Sequence, residues 1–315
     1  MKLDALRVFL LVADYEHITR AAEDLALTQP AVSRTVQSLE QEAGLPLFER
    51  QGRRIVLTAA GRVVQIYARR ILALERELEG SLAALRDLET GEIMISASKT
   101  TGAYLLPPVV ARFRVLHPHI ALQLTILNSH QVIEQVLTWQ ADIGLIEGDI
   151  SAIPPELDRE VIATDELVLI MAPTHRWSSR ETVTPQMLGA NELLLREQGS
   201  GTREVIERAF QRQGVQVSPL LTVPENETIK QLVMRGVGAA ILPALVVQRE
   251  VMAGDLLRVP IVGLDLHREL SLVQRNDKQL SRAGSAFCAL LHQVIKGGRA
   301  HGEGRAFQEH QHHQA

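Results

Sequence analysis

The sequence predicts an all-α N-terminal segment, a long connecting helix, and then an α/β region built as two lobes. Three observations carry this expectation. Residues 1–57 read as short helices punctuated by turns and closed by a small hairpin, residues 58–90 contain no proline and carry one apolar stripe, and residues 91–297 alternate short apolar strands with helical patterns. With 315 residues, 46% of them hydrophobic and 22% charged, the chain is too apolar for global disorder and long enough for two or three domains. A net charge of −4 neither requires nor forbids a nucleic-acid partner, because a small basic face fits within an acidic total.

In the first segment, Leu3, Leu6, Phe9, Leu10 and Ala13 share one helical face, and Ala21, Ala22 and Leu25 form the apolar side of a second short helix, Ile18 to Leu25. After Ala26-Leu27, Thr28 is placed to cap a third helix with Pro30 just inside its start. That helix runs through Val32, Val36 and Leu39 to Ala43, where Gly44 ends it. Leu47-Phe48 and Ile55-Val56-Leu57 flank the polar tip Glu49–Arg54 as a hairpin. Thr58 suits an N-cap, and Tyr67, Ile71, Leu74, Leu78, Leu82, Leu85 and Leu88 then recur in steps of three and four on a helix of about 45 Å. So narrow a stripe suits pairing with a second copy better than packing on the helix's own domain.

Beyond it, Ile93–Ser98, Ile120–Leu127, Ile143–Ile146, Leu167–Met171, Glu192–Leu195 and Ala239–Leu242 read as strands, with helical patterns at 103–116, 129–139, 202–213 and 226–235. The expected sheets are mostly parallel, and two hundred residues suit two similar lobes around a cleft. Residues 298–315 are rich in Gly, His and Gln and are expected to be disordered.

Two short helices joined by a tight turn, the second led by Thr-Gln-Pro, have helix-turn-helix geometry. Gln29, Ser33, Arg34 and Gln37 point away from the apolar stripe of the second helix, and Gln and Arg suit bidentate contacts with base edges in a major groove. Arg50, Arg53 and Arg54 at the hairpin tip suit phosphates or a minor groove, as a wing. One such residue alone would mark only a solvated face; the combined order points to double-stranded DNA.

Residues 21–61, AAEDLALTQPAVSRTVQSLEQEAGLPLFERQGRRIVLTAAG, resemble the winged helix-turn-helix of LysR-type transcriptional regulators, and the resemblance extends over all but the tail. It implies DNA contacts by Gln29, Pro30, Ser33, Arg34 and Arg53, a homodimer through the linker helix, and a homotetramer on an interrupted palindrome. RNA polymerase becomes an expected partner. The sequence departs at His17, where the family usually has Ser, which weakens that helix cap. The family's effector domain resembles a type 2 periplasmic-binding-protein fold. Residues 91–163 with 266–296 would form lobe I, residues 164–265 lobe II, and the two crossover strands the hinge.

Two turns suit a ligand in such a cleft, because helix N-termini present unpaired N–H groups to anions. Ser98-Lys99-Thr100-Thr101-Gly102 follows the first strand, and Gly199-Ser200-Gly201-Thr202-Arg203 does the same in the second lobe. Asn128 and Asn226 stand at two further strand-to-helix turns. Any one of these turns is explained by ordinary capping; Thr100 and Thr202 in opposite lobes together point to an effector site. The runs ASKTTGAYLLP, NSHQV, DIGLIEG and REQGSGTRE are similar to the branch that senses small anions, including sulfite-responsive and carbon-fixation regulators. A small oxyanion such as sulfite is therefore the expected effector. Glu147 opposes an anion unless paired with Arg196, Arg203 or Lys99; left unpaired, its change to Gln should raise anion affinity.

Other chemistry finds no support. Gly236-Val237-Gly238 lacks the third glycine of a dinucleotide fingerprint, and no P-loop, HExxH or Gly-x-Ser-x-Gly element occurs. No cofactor and no metal are expected. The single Cys288 cannot form an internal disulfide, lies among Phe287, Leu290 and Leu291, and reads as a core residue. No apolar run reaches membrane-spanning length, and the N-terminus lacks the pattern of a secretory signal, so the expected location is cytoplasmic. A solute-binding protein and an α/β enzyme are the weaker alternatives: the first needs a signal sequence, the second a nucleophile–base or metal constellation.

Overall fold

Short local signals explain the first elements. The computed structural model describes residues 1–52, 54–85, 91–148 and 153–300, which fall into one unit over Met1–Gly91 and another over Glu92–Leu137 and Ala141 onward. In the first unit, α1 (Leu3–Tyr15), α2 (Ile18–Asp24) and α3 (Gln29–Ala43) close around Phe9, Val12, Val32, Val36 and Leu39. Gly44 ends α3 in the left-handed region at φ +68°, which costs a residue without Cβ nothing. Thr28 is the N-cap of α3, but its side chain makes no capping bond; its carbonyl takes the Ala31 and Val32 N–H groups instead. His17 also leaves the start of α2 without a side-chain cap.

The hairpin β1 (Phe48–Gln51) and β2 (Arg54–Leu57) forms as expected. Glu40 of α3 anchors it by accepting the N–H groups of Leu47 (2.8 Å) and Phe48 (3.1 Å). Thr58 caps α4 (Ala59–Leu85): its Oγ1 accepts the Gly61 N–H at 3.0 Å. Gly61 lies so close to the Leu47 carbonyl that a Cβ there would sit 2.1 Å from its oxygen. One face of α4 packs Ala68, with Ala60 and Val64, into this unit's core. Arg7–Glu75 and Arg69–Asp14 ion pairs tie α1 to the same helix. The other face leaves Tyr67, Ile71, Leu74, Leu78 and Leu82 between 41% and 60% exposed. The Leu85 side chain and Leu88 lie outside the described residues.

The second unit begins with β3 (Gly91–Ser98), a π-helical turn at Thr101–Leu105 that runs straight into α5 (Leu106–Leu116), β4 (Ile120–Leu127), α6 (Ser129–Leu137), β5 (Ile143–Glu147) and β6 (Leu157–Met171). It continues with α7 (Pro185–Leu188), β7 (Ala190–Leu195), α8 (Gly201–Arg212), β8 (Ser218–Thr222), α9 (Asn226–Met234) and β9 (Ala239–Pro243). The last elements are α10 (Ala244–Ala253), β10 (Leu257–Arg258), β11 (His267–Arg275) and α11 (Arg282–Ala300). Strands run in the order β4-β3-β5-β11-β6-β9-β7-β8, with β10 beside β6.

The expectation of mostly parallel sheets needs correction. β3 and β5 are parallel, as are β7 with β8 and with β9, but β11 runs antiparallel to both β5 and β6, and β6 antiparallel to β9. Long strands that carry the chain between two halves cannot be joined by βαβ crossovers, so they pair antiparallel. β6 begins ten residues before the predicted Leu167, because Asp158, Arg159, Glu160 and Asp165 hide its first half behind charge. α11 likewise runs to Ala300, past the predicted end of the domain at 297, and the rest of the tail lies outside the described residues. The core of the first half gathers Ile93, Ile95, Phe113, Ile143 and Phe287, and Cys288 packs against it; that of the second gathers Leu169, Trp177, Leu193 and Phe210.

Candidate functional site

Two surfaces concentrate the predicted residues, one in each unit. In the first, burial of Val32, Val36 and Leu39 turns the opposite side of α3 outward, so Gln29, Pro30, Arg34 and Gln37 are exposed and Ser33 is half-buried. Between the start of α3 and the hairpin lies a groove of about 430 Å³ lined by His17, Ile18, Thr19, Gln29, Arg50, Gly52, Arg54 and Ile55. Helix and wing thus present Gln29, Arg50 and Arg54 to one space. The Ile55 N–H to Glu16 carbonyl bond, 3.1 Å, seats the wing on the end of α1. Arg53 lies outside the described residues.

In the second unit the polar residues converge where β3, β5, β6 and β11 meet the starts of α8 and the π-helical turn. Thr100, Thr101, Ser98, Glu147, Thr202, Asp165 and Arg268 are all at most 2% exposed. Glu147 ends β5, and its carboxylate accepts the hydroxyls of Ser98 (3.0 Å) and Thr202 (3.2 Å), with Thr100 also bonded to it. The guanidinium of Arg268 lies 3.2 Å from Glu147 and donates to Thr202 (2.7 Å), Thr100 (3.2 Å) and Asp165 (2.6 and 3.0 Å). Thr101 shares a hydrogen bond with Ser98 at 2.9 Å. Gly201 makes this meeting possible: a Cβ there would lie 1.7 Å from the Glu147 carbonyl oxygen.

Electrostatics divide the two acids. Burial pushes the Glu147 carboxyl up, but Arg268, Arg196 and the Thr100 and Ser98 hydroxyls outweigh it and hold the group below its ordinary range. Burial also pushes Asp165 up, and there the bond to Arg268 does not compensate. Asp165 Oδ1 has no partner among the described residues, nor has the buried Ser200 hydroxyl at the N-cap of α8.

The predicted cations behave differently from expectation. Glu147 is paired, but its ion pair is with Arg268 rather than with Lys99, Arg196 or Arg203. Lys99 binds Glu225, Arg203 binds Glu207 and the Arg196 carbonyl, and Arg196 binds Glu197 and Asn226. Each reaches a nearer carboxylate first, and Arg196 acts on Glu147 only through space. Asn226 and Arg203 therefore join the cluster through Arg196, whereas Asn128 does not join it. Its Oδ1 accepts the Gln131 N–H at 3.0 Å and begins α6.

Sequence reasoning missed Arg268 and Asp165. The available signal was phase: Arg268 falls in step with Leu270 and Leu272 on the buried side of β11, where a solvent-facing arginine would not sit. Gly236 (φ +77°) turns the chain into β9, in keeping with the incomplete glycine pattern. Burial raises the Cys288 thiol to about 11, which leaves it protonated and unreactive.

Comparison with known proteins gives these surfaces a family. Residues 3–62 match the bacterial regulatory helix-turn-helix proteins of the lysR family, and residues 86–296 match the LysR substrate binding domain. The RuBisCO operon transcriptional regulator of Allochromatium vinosum is 34% identical over 290 residues, 91% of this chain and 94% of its own. The HTH-type transcriptional regulator CysL of Bacillus subtilis is 30% identical over 291 residues, 92% of this chain and 97% of its own. Among solved structures, CbnR, a LysR family transcriptional regulator, aligns in complex with its target DNA over 93% of this chain and 99% of its own, with TM-score 0.64 and 27% identity. With a helix-turn-helix unit followed by an effector-binding α/β domain, the chain belongs to the LysR family of DNA-binding transcriptional regulators, which are not enzymes.

Proposed function

We propose that this regulator senses a small oxyanion in the cluster around Arg268 and passes the signal to promoter DNA. The observation that carries the reading is the convergence of two helix-opening turns, at Thr100–Thr101 and Gly201–Thr202, on one buried guanidinium. Hydroxyls, helix N-termini and a planar cation are the groups that recognise sulfite, sulfate or a phosphoryl group. The relatives that regulate RuBisCO operons, and CysL, support a place among regulators of carbon fixation and sulfur metabolism.

In this reading Gln29, Ser33, Arg34 and Gln37 contact base edges and Arg50 and Arg54 grip the backbone of an interrupted palindrome. The exposed stripe of α4 forms a homodimer, two dimers form a tetramer in the cytoplasm, and effector binding shifts the lobes so that promoter bending and polymerase recruitment change. The test is a thermal-shift screen of the purified protein with sulfite, sulfate, thiosulfate, phosphate and phosphorylated sugars. An anion at a hundred times its dissociation constant adds about 2.7 kcal/mol of stability. A shift with one anion, abolished in Thr100→Ala and Thr202→Ala, is the expected outcome. No shift with any of them would overturn the anion reading and send the search to uncharged metabolites.

A further inference from the structure

The cluster and its surroundings hold cations, but among the described residues each of these has a carboxylate partner. Arg268 faces Glu147 and Asp165, Arg196 faces Glu197, Arg203 faces Glu207, Lys99 faces Glu225, and at the rim His130 of α6 faces Glu204 of α8. The carboxylate of Glu147 meanwhile holds the hydroxyls of Ser98, Thr100 and Thr202 and one edge of Arg268, the donor set that an oxyanion would need. Its neighbours come from every element packed on it: Ser98 and Thr100 before α5, Ser129 of α6, Thr202 of α8, Arg196 after β7, Asp165 of β6, and Arg268 of β11.

We propose that Glu147 is a resident stand-in for the effector, and that an anion enters by exchange, displacing this carboxylate from Arg268 while Glu147 takes one proton from solvent onto a carboxyl oxygen. This rests on the reading of the cleft as an anion site. The reason is charge. A second anion beside Glu147 and Asp165 would leave more negative than positive charge in a space closed to water, and a buried unpaired charge is costly enough that the group neutralises instead. Glu147 is the acid that can change state, because it is ionised in the free protein and loses Arg268, the partner that keeps it so. Sulfate carries two negative charges in and the proton cancels that of Glu147, so the cluster gains one negative charge instead of two.

The sign follows from linkage. A group whose proton affinity rises on binding takes up protons, so anion affinity falls as pH rises, by up to about tenfold per unit for one proton, in the range between the depressed free-state value of Glu147 and the raised value it takes with the anion bound. Sulfate is the probe, since it does not itself titrate near neutrality; sulfite serves as a second. Isothermal titration calorimetry between about pH 6 and 8, in buffers of different ionisation enthalpy, should count close to one proton per sulfate and show binding weaken with pH. Glu147→Gln, an isostere that leaves Arg268 paired with Asp165, should bind sulfate more tightly, by a margin that widens about tenfold per pH unit because its own pH dependence is gone. Sulfate binding without proton uptake in the unaltered protein would overturn the exchange, as would equal or weaker binding by Glu147→Gln. The proton count carries the test alone if the variant does not fold. Silence of both proteins at every pH toward sulfate and sulfite, and toward thiosulfate, phosphate and phosphorylated sugars as well, would overturn the anion reading and the exchange together, a pattern distinct from the first two.

Discussion

Among the described residues, Arg268 is the single side chain that spans Thr100, Thr202, Glu147 and Asp165, and the cluster depends on it. Removing one member of a buried ion pair strands its partners, at about 3–5 kcal/mol. Arg268→Gln should therefore lower the stability of the second unit by about that much, measured by urea denaturation. Lys99→Gln, which breaks a partly exposed pair with Glu225, should change it by less than about 1 kcal/mol. Similar losses in both would show that Arg268 is not the keystone. Ser98, Thr100, Glu147 and Thr202 were legible in the sequence because hydroxyls and glycine at a strand-to-helix turn follow a local rule. Arg268 and Asp165 were not, because they sit in the strands between halves, where a charge looks like the solvent-facing member of an alternation.

The helix α3 was readable at the level of an element: one face supplies Val32, Val36 and Leu39 to the core and the opposite face has no packing duty. Arg34→Ala should reduce operator affinity by about 1–3 kcal/mol in fluorescence anisotropy at fixed salt, the worth of a good bidentate base contact. Ser33→Ala should weaken it as well, and both variants should keep the oligomeric state in gel filtration; binding equal to the unaltered protein would remove these residues from the interface. Elsewhere the sequence pattern failed wherever periodicity was masked. β8 and β10 were missed because their exposed or charged positions break the apolar run, β11 entered only as an implied crossover strand, α10 was not read, and α11 was seen only as the apolar helical face around Cys288. Strands whose neighbours bury them on both faces, such as β5 and β9, were read from their apolar runs, and the largely exposed edge strand β4 (Ile120–Leu127) was read as well.

For the whole molecule, the decisive feature is the row Tyr67, Ile71, Leu74, Leu78 and Leu82, left open along α4 although 3.5-residue spacing normally signals a helical partner. Leu74→Glu with Leu78→Glu should convert the assembly to monomers in light scattering and cost most of the operator affinity, because one helix-turn-helix then reads one half-site alone. Unchanged mass would place the seam elsewhere. The ladder between β6 and β11 has a separate consequence. It shifts register once, skipping Ile162 between Val161↔Ser271 and Ala163↔Leu270, then continues to Glu166↔His267, and at Leu167 β6 is already paired with Pro243 of β9. No unpaired stretch of β6 separates the two halves, so the joint is a leaf spring rather than a swivel: it yields by twisting a bonded ribbon, and it stores elastic energy as it does so. Such a joint favours small, stiff excursions over wide gaping.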